Sequence, residues 1–381
     1  MLMQNNYDYI IIGAGCAGLS LAYRLLNKSH TVCIIESSDD INKRNKLWSF
    51  WDTYETPFNH LIKKKWKNLL ISNENESIKI NCEDYNYQSI SSLDFNNFIL
   101  DKINTSSNID ILFSLEVKQI VKKNSDVVVI TDKDEYFCSH VFDSRPNNKK
   151  TFMKQQFFGA YIKSKEDIFD DKLAAFMEFT TIKNKFHFNY ILPFSKNMAL
   201  IESTFFSCNE EKNLLNKEYI NEYMREKYGD KEYVIEKTEF GSIPMDIGIN
   251  SLSERFITKI GSFSGATRAS TGYTFINIQR QMDYLMRIIP NIQKNKINKH
   301  FHKFILRKMD SIFLRIISRN PDYMKIALMD LFRTSSHKAQ IRFLSDMPSI
   351  FDIMKIIFYL PKLKFLLYAL GIREKNDKQN K

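Results

Sequence analysis

Two groups of residues in this chain have the types and spacing for chemistry: a glycine turn near the N-terminus and a few glutamates set in apolar strands. The turn is Gly13-x-Gly15-x-x-Gly18, preceded by the apolar run Tyr9 to Ile12 and followed by a helical pattern through Leu19, Ala22, Leu25 and Leu26. A second apolar run, Thr31 to Ile35, ends on Glu36, eighteen residues after Gly18. This strand–turn–helix–strand–acid order is the fingerprint of dinucleotide binding. Gly13 permits the tight turn, Gly15 lets backbone approach a pyrophosphate, and Gly18 allows close packing of helix on strand. The helix N-terminus offers free N–H groups and partial positive charge to the phosphates. Glu36 is placed to accept hydrogen bonds from an adenosine ribose.

The glutamates point to proton transfer. Glu202 follows Met198-Ala-Leu-Ile201, an apolar strand whose surroundings raise a carboxyl pKa and keep a proton available near neutrality. The alternative is a glutamate on the solvent face of an edge strand. Glu178 and Glu239 lie in other strand-like segments, each as a second carboxylate or as half of a structural ion pair.

The elements that must position these residues are legible as a split nucleotide unit. Strand-like pieces occupy 66–82, a helix is expected over Phe95 to Asn104, and Val117–Thr131 with Glu135–Phe142 read as a small meander. The meander ends in Asp143-Ser144-Arg145-Pro146, an acid and a turn after an apolar strand. Strand signals then run through 157–162, 174–181, 186–192 and 198–206, a charged helix is expected over about 209–228, and strand character resumes at 233–243. Phe256 to Ile260 lead into Gly261-Ser-Phe-Ser-Gly265, then Ser270-Thr271-Gly272-Tyr273 and a helix from about Thr274. This late turn brings a second helix N-terminus toward the same cofactor, with Asp143, Gly261, Gly265 and Gly272 near it. The remainder, 282–371, reads as helical, and Arg373 to Lys381 as a disordered tail.

The expected fold is therefore α/β: a Rossmann-type FAD-binding domain with a β-rich substrate domain inserted and a helical C-terminal region. The boundaries fall at 1–150 (first part of the FAD domain), 151–250 (β-rich substrate region), 251–282 (return segment) and 283–381 (helical, membrane-associating). An NAD-only dehydrogenase more often carries successive βα units after the fingerprint. Early departure into a meander and return near 256–280 favour FAD.

Composition narrows the partners. The net charge is +11, but there is no zinc-finger spacing, RNA-binding signature or helix-turn-helix context, so nucleic acid is not expected. The lysines around 61–67 are either a solvated face or a lipid-facing patch. Five scattered cysteines (16, 33, 82, 138 and 208) suit a reducing compartment and suggest neither a metal site nor a disulfide framework. The first strand accounts for the apolar residues near the N-terminus, so no signal peptide is expected.

Eight collinear segments make the chain resemble the flavin-dependent lycopene cyclases of carotenoid synthesis. They are Gly13-x-Gly15-x-x-Gly18, Leu47-Trp48-Ser49-Phe50-Trp51, Asp143-Ser144-Arg145-Pro146, Gln156-Phe157-Phe158-Gly159, Met177-Glu178-Phe179, Ile201-Glu202-Ser203-Thr204, Glu239-Phe-Gly-Ser-Ile-Pro244 and Ser270-Thr271-Gly272-Tyr273. Glu178 stands where the family often has Asp, and Ala269 where it often has Pro.

The resemblance implies closure of the linear ψ-ends of lycopene and related carotenoids into β-ionone rings, by alkene protonation, cation closure and deprotonation. It implies reduced FAD without net electron transfer, NAD(P)H serving only to reduce the flavin, and Glu202 as the essential acid/base residue. Trp48, Phe50, Trp51, Phe157, Phe158, Phe186, Phe188 and Tyr190 are candidates to line a polyene channel, with Trp48 and Phe158 preferred. The nearest alternatives are another isoprenoid-acting flavoprotein, such as a geranylgeranyl reductase or monooxygenase, or a non-catalytic prenyl-lipid carrier of the same fold.

A substrate that dissolves in lipid implies a membrane surface as partner, at its cytoplasmic side. Residues 350–370 are apolar but broken by Asp352, Lys355, Pro361, Lys362 and Lys364, which disfavours spanning. Two short amphipathic helices lying in the headgroup region fit better, with core-facing helices as the alternative.

Overall fold

A computed structural model describes residues 5–82, 84–123, 126–146, 151–209, 211–245, 254–292, 302–361 and 365–367. The segments 368–381, which include the expected tail, and Lys362 and Lys364 lie outside the described residues.

The chain begins with β1 (Asn6–Ile12), α1 (Cys16–Leu25) and β2 (Val32–Ile35). Then follow β3 (Leu47–Trp51), β4 (Ile62–Trp66), β5 (Asn68–Ser72), β6 (Ser77–Asn81), β7 (Tyr87–Ser91) and α2 (Ser92–Asn104). The next strands are β8 (Ile109–Leu112), β9 (Val117–Lys123), β10 (Asp126–Thr131) and β11 (Glu135–Asp143). The insert supplies β12 (Met153–Ser164), β13 (Leu173–Phe179), β14 (Phe186–Ser195), β15 (Met198–Ser207), α3 (Lys217–Tyr228) and β16 (Tyr233–Met245). The return is β17 (Ile257–Lys259) and α4 (Phe275–Ile288). Among the described residues the helices that follow are α5 (Phe304–Arg319), α6 (Pro321–Thr334), α7 (His337–Leu344) and α8 (Ile350–Tyr359).

The first sheet runs β8-β2-β1-β11-β10-β9, with β17 also pairing β11. Its centre is parallel: β1 lies between β2 and β11, and Ile10, Ile11 and Ile12 are buried on both faces, as a covered parallel strand requires. β10 pairs with the first half of β11 and β17 with its last three residues, Val141 to Asp143, so the return segment docks beside the end of the meander. α1 and α4 pack together on one face. Arg24 reaches Asp283 at 2.6 Å and Gln279 at 3.0 Å, so the two helices that frame the cofactor turn are tied by charge as well as by Leu21 and Ala22.

The second sheet runs β16-β12-β15-β14-β13-β5-β6, and a three-stranded sheet, β3-β7-β4, stands between the two. Here the structure redraws a boundary. Residues 68–81 precede position 150, yet β5 pairs in parallel with β13, joining the sheet of the insert. Alternating apolarity marks such pieces as strands but does not say which sheet receives them. Two smaller differences have local causes. α3 starts at Lys217, where Asn216 accepts the Tyr219 amide at 2.9 Å and caps the helix, so 209–216 lies before it. The strand at 256–260 is only 257–259, because Phe256 takes a positive φ of 71°.

The helical layer α5–α8 lies against the second sheet and shares its core, with Leu314, Ile317, Met324, Leu328 and Phe332 packed with Phe186, Phe188 and Leu200. It is also pinned to the return turn by charge. Arg268 is fully buried, pairs with Asp310 of α5 at 3.1 Å and stacks on the Phe343 ring, while Arg280 and His302 both reach Asp346.

Candidate functional site

The glycine turn is built for close approach. Gly13 has φ +96°, and a Cβ on Gly18 would stand 1.9 Å from the Gly13 carbonyl oxygen, so helix and turn touch only because Gly18 has no side chain. Gly15 faces open space, with nothing within 4 Å of a Cβ there, and no side chain caps the N-terminus of α1. An uncapped helix N-terminus beside an open glycine has the donor set that a pyrophosphate needs. Glu36 ends β2 with its carboxylate accepting from the Ala14 amide at 2.7 Å and the Ser38 amide at 2.8 Å, which holds it beside the turn.

The return segment closes against this cradle. Gly261 has φ +78°, and a Cβ on it would meet Ala17 of α1 at 2.9 Å. Gln281 of α4 accepts from the Gly261 amide at 2.8 Å and donates to Ser264, fixing the turn that ends in the left-handed Gly265. Gly272, φ +71°, lies against Gln155 of β12. Gly13, Gly15, Gly18, Glu36, Gly261, Gly265 and Gly272 are thus gathered around the facing ends of α1 and α4. Asp143 is nearby but differently employed. Its buried carboxylate pairs with Arg145 and Lys259. Burial alone would raise its pKa, but the hydrogen bonds from Arg145 and Lys259 prevail and hold it below the usual carboxylate range. It fixes the β11–β17 end, and the next residue, Ser144, abuts Gly13.

From the cradle a cavity of about 840 Å³ runs between the second sheet and the helical layer. Its lining is mainly apolar and includes Trp48, Phe157, Phe186, Phe188 and Tyr190 from the expected aromatics. Phe158 is not among them. Neighbouring strand residues point to opposite faces, so Phe157 faces the cavity and Phe158 the cluster under α3. Phe50 packs in the nucleotide core and Trp51 behind the cavity wall, against Tyr87 and Tyr273.

Glu202 lines this cavity and is 9% exposed. Gly159 of β12 is in register with Glu202 on one side and Glu239 on the other. With no side chain between them, the two carboxyls come within hydrogen-bonding reach of each other. Burial, then the Glu239 charge, pushes the Glu202 pKa well above the ordinary carboxyl value, with Lys46 opposing weakly. Burial also raises Glu239, against hydrogen bonds from Glu202 and from the Tyr161 hydroxyl at 3.2 Å. Two adjacent buried carboxyls cannot both ionise cheaply, so burial and their mutual repulsion favour a shared proton beside the cavity that Glu202 lines.

Glu178 is not part of this pair. Its carboxylate accepts from Tyr223 at 2.9 Å and Lys227 at 2.6 Å, both on α3, across the sheet from the cavity. Of its two sequence readings, the structure shows the ion pair, with the carboxylate away from the cavity lining. Sequence reasoning also missed Tyr87, Phe176 and Tyr273, which line the cavity near Glu202, and the role of Gly159. A glycine inside the long apolar strand Phe157 to Ile162 is a signal of close approach, and it could have found the carboxyl pair.

Among the described residues no group of His, Cys, Asp and Glu could hold a metal ion. No described helix is long and apolar enough to cross a membrane.

The sequence matches the family described as lycopene cyclase protein over residues 8–369. No curated protein sequence matches the chain. Among solved structures, the fold is similar to a geranylgeranyl bacteriochlorophyll reductase-like protein from Thermoplasma acidophilum, at 12% identity and TM-score 0.62, covering 96% of this chain and 98% of that one. It is also similar to p-nitrophenol 4-monooxygenase from Pseudomonas putida (10% identity, TM-score 0.60, 98% and 100% covered). A halogenase solved in complex with FAD matches at 13% identity and TM-score 0.57, with 89% and 85% covered. At these identities the likeness is one of fold: the α/β architecture of FAD-dependent oxidoreductases and monooxygenases, with a helical C-terminal region.

Proposed function

The chain belongs to the lycopene cyclase family, and from that premise we propose that it is a lycopene β-cyclase, an isomerase that closes ψ-ends into β-ionone rings without net redox change. The observation that carries this reading is the carboxyl pair: a buried Glu202, its pKa raised by burial and by the adjacent Glu239, facing a long apolar cavity that opens from a dinucleotide cradle. A cyclase needs an acid in an apolar chamber, which is the arrangement here.

The cradle fits FAD by its open Gly15, its uncapped α1 N-terminus and the Gly261–Gly272 turn packed on α1. The Gly13–Gly18 loop would hold the pyrophosphate and Glu36 the ribose. When bound and reduced, with NAD(P)H as the electron source, FAD supplies negative charge that favours a nearby cation. The chain's own residues do the rest. Glu202 gives its proton to the terminal alkene, and the resulting tertiary cation is attacked by the neighbouring double bond, closing the ring. The ring cation then loses a proton to the carboxyl pair, now anionic, which returns the pair to its starting state. Atoms and charge balance, and the product is an isomer of the substrate. Apolar walls from Phe157, Phe186, Phe188 and Leu200 keep water from capturing the cation.

The same reading places the enzyme peripherally at the cytoplasmic membrane face. Ile305, Ile357 and Leu366 are both exposed and part of the cavity lining, so they mark its mouth. Around them α8 presents Ile350, Phe351, Met354 and Phe358 to solvent, while Ile353 and Ile356 face inward. A helix with one apolar face in the protein and another outside suits the headgroup–acyl boundary, from which a carotene enters without crossing water.

The test is expression in a lycopene-accumulating bacterium. Wild-type protein turns red cells orange-yellow and yields a β-ring product of unchanged mass, while Glu202→Gln leaves lycopene. Unchanged lycopene with folded, flavin-loaded wild-type protein rejects the assignment, as does stoichiometric nicotinamide oxidation with product.

A further inference from the structure

Next to Glu202, aromatic side chains from four segments converge on one part of the cavity wall. Tyr190 of β14 is the cross-strand partner of Glu202. Tyr87 comes from β7, Phe176 from β13 and Tyr273 from the return turn, and all four line the cavity. Trp51 stands behind them, with its ring 4.9 Å from Tyr87, 5.1 Å from Phe176 and 5.4 Å from Tyr273. Phe176 lies 5.6 Å from Tyr87 and 6.4 Å from Tyr190.

The three phenols are bound to one another. The Tyr87 and Tyr190 hydroxyls are 2.6 Å apart, Tyr273 donates to Tyr87 at 3.4 Å, and the Ser49 hydroxyl hydrogen-bonds Tyr190. Burial holds all three as neutral phenols. A free hydroxyl beside a carbocation is a nucleophile that would trap it. Hydroxyls turned on each other keep their oxygens occupied and leave ring faces as the electron-rich surface.

We infer that Tyr87, Phe176, Tyr190 and Tyr273, backed by Trp51, form a cage for a cationic hydrocarbon, stabilising the ring-closing intermediate beside Glu202 and withholding oxygen from it. This rests on the cyclase reading for the identity of the cation. The cage itself is a binding site for an alkyl cation in preference to a neutral chain of the same shape.

The experiment compares Tyr190→Phe, which keeps the ring, with Tyr190→Leu, which removes it, in FAD-loaded protein. Two readouts are taken. In the first, lycopene in phosphatidylcholine vesicles is converted under reduced FAD. Tyr190→Phe, which keeps the ring face, retains at least about tenfold more kcat than Tyr190→Leu, which loses about thirtyfold with KM little changed, the loss of one desolvated cation–π contact of about 2 kcal/mol. In the second, dodecyltrimethylammonium, below its micelle concentration, competes with dodecanol for the protein, followed by tryptophan fluorescence. Wild type and Tyr190→Phe prefer the ammonium, and Tyr190→Leu loses roughly tenfold or more of that preference.

A merely structural tyrosine would not separate ammonium from alcohol. Phe176→Leu carries the same expectations and decides the matter where Tyr190→Leu does not fold. Retention of both kcat and ammonium preference in the leucine variants overturns the cage. Inactive wild-type protein overturns the cyclase reading instead, and the ammonium comparison then still decides the cage.

Discussion

Gly159→Ala tests the carboxyl pair with a single methyl group. Gly159 is an ordinary strand residue in φ, so alanine meets no backbone strain, and the whole effect comes from what its Cβ would touch. It would lie 3.1 Å from Glu202 Cγ, 3.1 Å from Glu239 Cγ and 3.2 Å from Leu200 Cδ1, against ordinary contact beginning at 3.4 Å. Both carboxyl stems must therefore give by a few tenths of an ångström, one on each side. Overpacking of a filled core costs about 1–3 kcal/mol, while loss of glycine's freedom in the unfolded chain returns about 0.4–1 kcal/mol. The expected net is a destabilisation of about 1 kcal/mol, readable in urea unfolding. The effect on rate is larger in proportion. A misplacement of about 1 Å costs about a hundredfold, so shifts of a third to a half of that in both members lower kcat roughly tenfold. FAD affinity should not move, because the cradle is elsewhere. The assay is lycopene conversion in vesicles under reduced FAD, with kcat and KM resolved. Unchanged kcat in a folded Gly159→Ala protein would refute the idea that this gap sets the two carboxyls in place.

Four further outcomes follow from the geometry. Gly18→Ala should abolish FAD retention on gel filtration, because its Cβ would stand 1.9 Å from the fixed Gly13 carbonyl oxygen. Glu178→Gln should keep cyclase activity within about threefold, since Glu178 faces α3; a loss like that of Glu202→Gln would return it to the catalytic set. Both paired carboxyls have folded pKa values raised above the ordinary 4.5, so their contribution to stability is complete below that value and is lost as pH rises through the folded values. Glu239→Gln removes the like charge, so its urea midpoint should fall less than that of wild type as pH is raised above 4.5. Asp310→Asn leaves the buried Arg268 charge without its partner and should cost about 3–5 kcal/mol, whereas Arg268→Met with Asp310→Leu should recover most of it.

How much of this could be read beforehand varied with how local the cause was. The nucleotide turn was legible because its tightest demand is local: Gly18 answers to Gly13, five residues away. Glu202 was legible only as a candidate. An apolar strand raises a carboxyl pKa if that face is buried, and burial depends on α5 and α6 arriving from more than a hundred residues later. Glu178 shows the same limit from the other side. It sits in an equally apolar strand, but its side chain points to the opposite face, where Tyr223 and Lys227 wait on α3. Phe158 failed as a cavity residue by the same one-step alternation that made Phe157 succeed. The tyrosines at 87, 190 and 273 meet only in three dimensions, through strands of different sheets and a turn, and no spacing announces them.

The β5–β6 hairpin has a consequence for how this molecule can be made and divided. It is synthesised early, within the nucleotide half, yet its neighbour β13 emerges roughly a hundred residues later. The edge of the hairpin that will receive β13 must wait unpaired in the nascent polypeptide, and β17 likewise arrives long after β11. Neither half can finish without the other, so cutting at the apparent seam near residue 150 should yield two insoluble fragments that regain flavin binding only when refolded together.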